Sequence, residues 1–196
     1  MNSIIEEKLK KGEKIIIELG PGEKKSHPQA IGIDIIKKSS VDIVCDLNKG
    51  LSFIADNVVD KIIAHHVIEH IENLENLMKE IFRILKIQGI FEGTVPHFSN
   101  PYFYSDYTHN KFFGLYTFNY FSKKHFFKRE VPLYYNDINF KIKDIKLIFR
   151  SPFRGRNLFK RFLTFLVNKN KYFQEFYEEN LIYIFPCYEI YFELEK

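Results

Sequence analysis

Five short apolar runs in the first half of the chain constrain its fold more than any other feature. They occupy residues 14–19, 30–35, 41–47, 58–67 and 89–95. Runs that are continuously apolar, and do not alternate with polar residues, indicate strands buried on both faces. Between the last two runs, apolar residues recur at helical spacing over 74–85, after Asn73 as a candidate N-cap. Strands that alternate with helices predict a three-layer α/β domain with a mainly parallel sheet.

The second half of the chain shows a different pattern. Residues 97–136 are crowded with Phe, Tyr, Asn and His and have no clean period. A stretch of this length is expected to be a substrate-side cover or an insertion. Regular patterns then return, and they predict a strand at 140–149, helices at 157–168 and 171–180, and a last strand at 188–194. We therefore expect one domain, 1–196, that includes this cover.

Composition and the absence of long apolar segments indicate the compartment in which the protein is expected. A chain of 196 residues that is 45% hydrophobic can bury a substantial core. Its two cysteines have no metal-binding spacing, which favours a reducing compartment. The N-terminal segment lacks the apolar region of a signal peptide, and no run approaches the ~20 apolar residues of a membrane span. These features predict a cytoplasmic protein.

A basic segment stands out against the modest net charge of +4. Residues 141–171 contain ten Lys or Arg and one acidic residue. Arg150, Arg154 and Arg156 could each hold a phosphate through two parallel hydrogen bonds. Together with the Phe-rich helix that follows, they predict peripheral contact of 150–171 with an anionic membrane surface. A homodimer interface and a simple solvated helix face remain alternatives.

A glycine turn follows the first apolar run in the sequence ELGPG. Gly20 and Gly22 would let the backbone pass close beneath a ligand. Lys25 stands where a dinucleotide fingerprint needs a third glycine, and the phosphate-binding GxxxxGK[ST] pattern is absent. The next strand ends in Asp34, which could accept both hydroxyls of a ribose, and the third ends near Asp46. The pattern predicts an adenosine site at the carboxyl ends of the strands.

Six segments in register carry a family resemblance: IIELGPG, AIGIDI, VDIVCDLNKGLSF, VVDKIIAHHVIEHI, LMKEIFRILKIQGIF and TVPHFSNPYFYSDYTHNKFFGLYTFNYF. From about residue 14 to residue 121 the chain resembles the class I S-adenosylmethionine-dependent methyltransferases. It is most similar to the small bacterial and archaeal type 11 group, often associated with polysaccharide or glycolipid synthesis. The resemblance implies a Rossmann-like, mainly parallel seven-stranded sheet with an antiparallel last strand. It also implies a truncated first crossover, an aromatic insertion after the fifth strand, and S-adenosyl-L-methionine as cofactor.

The resemblance assigns cofactor contacts residue by residue. The first motif comprises Glu18, Gly20, Pro21 and Gly22, with Glu18 near the methionine end. The ribose is assigned to Asp34, the adenine side to Asp46 and Leu47, and the border of the methionine moiety to Ala64, His65 and His66. Ile35, next to Asp34, is a further predicted cofactor contact. Two departures are visible. Glu23 stands where the family often has a third glycine, and the usual LKPGG turn reads LKIQG.

Methyl transfer from a sulfonium is an in-line displacement that depends mostly on positioning, and an oxygen or nitrogen acceptor can also need a general base. His109 is the predicted base, with Asp106 orienting its imidazole. His97, which follows the fifth strand, is a second candidate on the substrate side. Glu69 and His70 are expected to cap or orient a loop. No metal site is predicted, because the chain has no cysteine or HExxH-type ligand pattern.

The predicted function is S-adenosylmethionine-dependent methylation of a small-molecule acceptor, such as a saccharide or a lipid-linked sugar. One alternative is a nucleic-acid methyltransferase. It is disfavoured because the fourth strand ends in AHHVIEH and not in Asn-Pro-Pro-Tyr or Asp-Pro-Pro-Tyr. The other alternative is a cofactor-binding partner without catalytic activity.

Overall fold

The computed structural model describes residues 2–132 and 137–196. These residues form four α-helices and seven β-strands. In chain order they are α1 (Ser3–Lys10), β1 (Ile16–Leu19), β2 (Ile31–Asp34), β3 (Ile43–Val44), β4 (Val59–His65), α2 (Leu74–Ile84), β5 (Leu85–Pro96), β6 (Lys141–Ile148), α3 (Asn157–Val167), α4 (Lys171–Asn180) and β7 (Glu189–Glu195).

All seven strands of the described chain form one sheet in the order β3-β2-β1-β4-β5-β7-β6. The first five strands are parallel to their neighbours, whereas β7 runs antiparallel to both β5 and β6. The predicted fold class is therefore confirmed: a mainly parallel, Rossmann-like sheet with an antiparallel last strand. The alternation of apolar strands with an amphipathic helix predicted the mainly parallel sheet, and the family resemblance implied the antiparallel last strand.

The truncated first crossover is also confirmed. β1 and β2 are parallel neighbours, yet the described residues 20–30 between them contain no helix. The buried carboxylate of Glu18 lies under this loop and accepts hydrogen bonds from the backbone N–H groups of Ser26 and His27, at 2.9–3.2 Å. Donors that a crossover helix would have satisfied internally are thus satisfied by one side chain.

Helix α2 covers one face of the sheet. It buries Leu77, Met78 and Ile81 of the predicted apolar stripe and also Ile84, whereas Leu74 and Phe82 of that stripe are half-buried. The Asn73 side chain caps it by accepting a hydrogen bond from the Asn76 N–H at 3.0 Å. Two boundaries differ from prediction. β5 begins at Leu85, directly after the helix and four residues before the predicted start at residue 89, and α1 was not predicted.

The predicted cover, 97–136, extends into residues 133–136, which lie outside the described residues. Its described part, 97–132, contains only two short 3-10 turns, Phe103–Ser105 and Thr117–Phe121. Much of its aromatic content forms a second core: Phe113 and Phe118 are buried, and the Phe118 ring lies 4.2 Å from that of Phe192 on β7. Tyr104, Tyr107 and Phe112 are exposed.

The helices found in the described part of the chain are too short or too polar for any of them to cross a lipid bilayer.

Candidate active site at the carboxyl ends of the parallel strands

The carboxyl ends of β1 to β4 meet at one edge of the sheet. Leu19 pairs in register with Ile33 on one side and with Ala64 on the other, while Asp34 pairs with Val44. The segments that follow these strands are therefore neighbours. This edge brings together the predicted cofactor segments 20–22, 34–35, 46–47 and 64–66.

The glycine turn after β1 adopts the left-handed conformation that its sequence predicts. Gly20 has φ +59° and Gly22 has φ +60°, values that side chains rarely adopt. A Cβ at Gly20 would lie 2.7 Å from Val67 Cγ2, so this glycine allows the segment after β4 to approach. A Cβ at Gly22 would meet no atom within 4 Å. The turn thus leaves open space above its second glycine, where a ligand can approach the backbone.

The two acidic strand ends flank this turn. Asp34 accepts a hydrogen bond from the Ile36 N–H through Oδ1, and Asp46 accepts one from the Asn48 N–H through Oδ1. Among the described residues neither Oδ2 atom has a hydrogen bond, so each can receive a ligand hydroxyl or amino group. Beside them, Ile35 is 61% exposed and offers an apolar surface to a flat ring. These residues fit an adenosine group.

The side chain of Glu18 lies beneath the loop after β1 and does not reach the open part of the site, as its assignment to the methionine end would imply. It is buried, and both of its oxygens receive loop N–H groups. Its contacts shape the loop that carries Gly20 and Gly22. Pro21, between them, is also buried.

The segment after β4 contains a charged histidine. His66 has φ +52°, and its Nε2 lies 2.6 Å from Glu189 Oε2 while its Nδ1 lies 3.4 Å from Glu69 Oε1. Burial opposes the charged form, but the two carboxylates outweigh it and raise the pKa of His66 to about 9. Glu189 also pairs with Arg150 Nη2 at 3.0 Å. The neighbouring His65 is exposed, with Nδ1 3.1 Å from Thr94 Oγ1.

His97 occupies a position that does not support its predicted catalytic role. Its side chain is completely buried, with Nδ1 2.8 Å from Ser99 Oγ and Nε2 3.0 Å from Glu178 Oε2. Both ring nitrogens are engaged beneath the cover. These contacts tie the end of β5 to α4, which is a structural role.

His109 is held differently from the predicted Asp106–His109 pair. Its Nδ1 lies 2.9 Å from the Phe103 carbonyl oxygen, and its Nε2 lies 3.7 Å from Asp106 Oδ2, too far for a hydrogen bond. Asp106 instead accepts hydrogen bonds from the Thr108 hydroxyl and N–H through Oδ1, and these lower the pKa of its carboxyl group. Asp106 thus fixes the turn that carries His109.

The structure places two further residues beside the predicted base. Glu69 and His70, expected to be structural, lie next to His109, and the rings of the two histidines are 4.8 Å apart. The sequence signal was the adjacency of an acidic residue and an imidazole directly after a strand. That signal did not indicate that His109 would lie beside these two residues in the folded chain.

A small basic cavity of about 130 Å³ lies at the ends of β5 and β6. Arg150, Arg156 and Lys160 line it, together with Asn100 and Ser151. The Arg150 guanidinium lies 4.5 Å from the centroid of the Tyr188 ring, and burial lowers the pKa of Lys160. The cavity combines cationic and hydrogen-bonding groups that suit a phosphate.

The described chain has an exposed apolar face on α3. Leu158 is 84% exposed and Phe165 is 69% exposed, with Phe162 also exposed between them. The sequence from 145 to 174 contains no acidic residue. A helix with exposed aromatic side chains in a purely basic segment is unusual for a surface that meets only water.

Residues 23–92 match a family model described as a methyltransferase domain. No curated protein is found to match the chain in sequence.

Solved structures with the same fold cover most of the chain. A SAM-dependent methyltransferase from Archaeoglobus fulgidus superposes with a TM-score of 0.56 at 15% identity, covering 98% of this chain and 93% of that one. A putative methyltransferase from Bacillus halodurans gives 0.56 at 12% identity, with 100% and 99% coverage. Phosphoethanolamine N-methyltransferase 2 from Haemonchus contortus, in complex with S-adenosyl-L-methionine, gives 0.54 at 16% identity. In that case 93% of this chain spans 48% of the larger protein.

Proposed function

We propose that this chain, a class I S-adenosylmethionine-dependent methyltransferase by family match and fold, transfers the methyl group to an oxygen or nitrogen atom of a saccharide or lipid-linked sugar. The cofactor, when bound, supplies an electrophilic methyl group on a sulfonium. The observation that carries the cofactor part is the convergence of the glycine turn with two acidic strand ends and an exposed Ile35 at one sheet edge.

Within this proposal each segment has one task. Gly20 and Gly22 leave room for the sugar and the amino-acid part of the cofactor, Asp34 holds the ribose hydroxyls, and Asp46 receives the adenine amino group. Ile35 and Leu47 contact the adenine ring. The segment 64–66 borders the methionine moiety, where the charged His66 could attract its carboxylate.

Two observations support a sugar acceptor that carries phosphate. Exposed aromatic side chains of the cover, Tyr104, Tyr107 and Phe112, lie in the segment that also carries His109, and such rings commonly line small-molecule sites. The basic cavity at Arg150, Arg156 and Lys160 opens at the same end of the sheet. A phosphate or diphosphate there would be bound by charge-assisted hydrogen bonds.

The acceptor's proton leaves through the cluster that contains His109. With Nδ1 engaged by the Phe103 carbonyl group, Nε2 carries the lone pair and is the candidate proton acceptor. Asp106 contributes indirectly, because it fixes the Thr108 turn beside this imidazole.

A lipid-linked acceptor requires access to a membrane surface. The α3 face, with Leu158, Phe162 and Phe165 exposed in a segment free of acidic residues, supports peripheral contact with anionic lipid. The same face could instead join two copies of the chain, and the vesicle experiment described in the Discussion distinguishes these outcomes.

Calorimetry with S-adenosylmethionine and S-adenosylhomocysteine tests the cofactor site. We expect both to bind, and Asp34→Asn to weaken binding at least tenfold, because a hydrogen bond to a charged group contributes about 1.5–3 kcal/mol. Asp144→Asn, on β6 and paired with Lys146, is the matched control and should bind as the unmodified protein does. No heat with either compound, together with tight binding of a dinucleotide, would contradict the proposal.

Transfer of a labelled methyl group then tests the acceptor. A panel of free sugars, sugar phosphates, polyprenyl-diphosphate sugars and single-stranded and double-stranded nucleic acids covers the alternatives. Labelling confined to the sugar compounds supports the proposal, and labelling of nucleic acid overturns it. Cofactor binding without labelling of any acceptor would favour a non-catalytic partner.

A further inference from the structure

We infer that Glu69, His70 and His109 form a binding site for a divalent transition-metal ion, which coordinates the acceptor hydroxyl group during methyl transfer. The proposal of a metal site is based only on the geometry of these three residues and their contacts. Its role toward an acceptor rests on the function proposed above. This inference replaces the sequence-based expectation that the chain has no metal site.

The three side chains converge on one point. One ligating atom from each lies within 4.8 Å of the ligating atoms of the other two. Two ligand atoms that are each about 2.1 Å from a metal ion are at most about 4.2 Å apart. In a tetrahedral site the ligand atoms are about 3.4 Å apart, so the widest pair has to close by up to about 1.4 Å to hold an ion, through rotation of the side chains.

The hydrogen bonds of both histidines leave Nε2 as the nitrogen with a lone pair. His109 donates its Nδ1–H to the Phe103 carbonyl oxygen at 2.9 Å. For His70 the assignment follows from Thr108, whose hydroxyl donates to Asp106 Oδ1 at 2.6 Å and must therefore accept from His70 Nδ1 at 2.9 Å. Metal-binding histidines characteristically donate their other ring N–H to such an acceptor.

Glu69 supplies the independent observation that points to a cation. Its side chain is completely buried, and among the described residues neither carboxylate oxygen has a hydrogen-bond partner. The charged His66 lies with Nδ1 3.4 Å from Oε1, at ion-pair distance, so Oε1 is partly compensated and Oε2 is the oxygen without a partner among the described residues. A buried carboxylate oxygen without a hydrogen bond is costly and rare, and coordination to a metal would satisfy it.

The backbone holds the cluster in place. Asn110 and Lys111 both donate their N–H groups to the Glu69 carbonyl oxygen, at 2.8 and 3.1 Å. The Asn110 side chain donates to the His70 carbonyl oxygen at 2.8 Å. These bonds fasten the loop that carries His109 to the segment that carries Glu69 and His70, so the site is preorganised.

Two imidazoles and one carboxylate suit Zn²⁺, Mn²⁺, Co²⁺ or Fe²⁺, and three protein ligands leave a coordination position open. An acceptor hydroxyl group in that position would lose its proton to solvent more easily. Its oxygen then forms a bond to the methyl carbon while the carbon–sulfur bond breaks. The electron pair remains on sulfur, which gives S-adenosylhomocysteine. With a metal bound, His109 serves as ligand and not as base.

Metal titration of the chelator-treated full chain tests the site. Calorimetry with Zn²⁺ and Mn²⁺, and visible absorption with Co²⁺, should report one bound ion per chain. Glu69→Gln and His109→Ala should each weaken the affinity at least 100-fold. His125→Ala, an exposed histidine of the same cover, is the matched control and should leave it unchanged. Thermal unfolding should shift upward with metal in the unmodified protein and in the control only.

The outcomes separate this inference from the proposed function. No saturable metal binding, or full binding by both site variants, overturns the metal site. S-adenosylmethionine binding by metal-free Glu69→Gln shows that this variant is folded. Equal methylation of an acceptor with and without chelator would support the proposed function and exclude a catalytic role of the ion. A protein that binds metal but no S-adenosylmethionine retains the metal site and loses the proposed function.

Discussion

Gly20 and Gly22 share a backbone conformation but differ in their surroundings, which makes their substitution informative. Alanine at either position is strained by about 1–2 kcal/mol, because φ is near +60° at both. At Gly20 the new Cβ also meets Val67 at 2.7 Å. We expect Gly20→Ala to lower the free energy of unfolding by about 1–3 kcal/mol more than Gly22→Ala, measured by urea denaturation without cofactor.

Val67→Ala provides the control for this comparison. It removes Cγ2, the atom nearest to the added Cβ at 2.7 Å, while Cβ of residue 67 remains at 2.9 Å. The clash is therefore partly relieved, and the double variant Gly20→Ala, Val67→Ala should be more stable than the sum of the single effects predicts. Equal losses for the two glycine variants, with strictly additive behaviour in the double variant, would show that the close approach of Val67 contributes nothing.

The site residues differ in how far sequence could predict them. Asp34 and Asp46 follow strands, and parallel strands deliver their carboxyl ends to one edge, so a local pattern was sufficient to place them together. The cluster around His109 depends on the cover folding back onto the segment after β4. His70 and Thr108 are 38 residues apart in sequence, and no local period reports such a contact. The burial of His97 likewise depends on α4, whose Glu178 arrives from a distant part of the chain.

At the level of elements, the Glu80–Arg83 ion pair of α2 is hydrogen-bonded to the loop before β4, and Arg83 also pairs with Asp56 of that loop. Arg83 hydrogen bonds with Glu80 and donates to the carbonyl oxygens of Leu51 and Ile54, while Glu80 accepts the Leu51 N–H. The hydrogen bond from Arg83 is the main cause that lowers the pKa of Glu80. The pair fixes the connection that leads from the proposed adenine contacts to β4.

This pair predicts a pH-dependent stability. Because the folded-state pKa of Glu80 lies below its ordinary value of 4.5, its contribution is present above that pH and is lost as the pH falls through the folded-state value. Glu80→Gln should therefore cost about 1–2 kcal/mol at pH 7, and the difference from the unmodified protein should shrink steadily below pH 4.5. Chemical denaturation across this pH range measures it.

Glu75→Gln is the matched control, since Glu75 forms an exposed i,i+4 pair with Lys79 on the same helix. Exposed pairs of this kind contribute about 0.5 kcal/mol or less. A pH profile for Glu80→Gln that parallels that of the unmodified protein down to acid pH would exclude the proposed contribution.

Element boundaries show where local patterns stop being informative. The strong period of α2 predicted its start, the centre of its buried stripe, and its end within one residue. β5 was predicted to begin too late because Leu85 leaves the helix directly in an extended conformation, φ −65° and ψ 138°, without the expected separating turn. α1 escaped prediction because only Ile5 is buried there, so no apolar stripe marks it. β3 is short because Asp46 turns the chain into a 3-10 turn.

The whole molecule has one surface with both exposed aromatic residues and uniform positive charge, on and around α3. If this surface meets lipid as proposed, the protein should sediment with phosphatidylglycerol vesicles but not with phosphatidylcholine vesicles, and salt should weaken binding. Replacing Phe162 and Phe165 together with serine should reduce vesicle binding at least tenfold, because each buried Phe contributes about 1.5–3 kcal/mol.

Ile87→Ser is the control for that experiment, as Ile87 is a large exposed apolar residue near the start of β5, away from α3. It should bind vesicles as the unmodified protein does. A concentration-dependent dimer that the Phe162, Phe165 variant dissociates, with no vesicle binding by either protein, would identify the surface as a contact between two copies.

The strands of the sheet differ in length, and the two halves of the sheet should therefore differ in stability. β2 and β3 have four and two residues, whereas β5, β6 and β7 have seven to twelve. The half proposed to bind the nucleoside thus has few backbone hydrogen bonds between strands and lacks its crossover helix, while the opposite half is densely paired. Local unfolding should therefore begin at β2 and β3, and a bound nucleoside would stabilise these two strands. Binding of the nucleoside and folding of this edge of the sheet are then thermodynamically coupled.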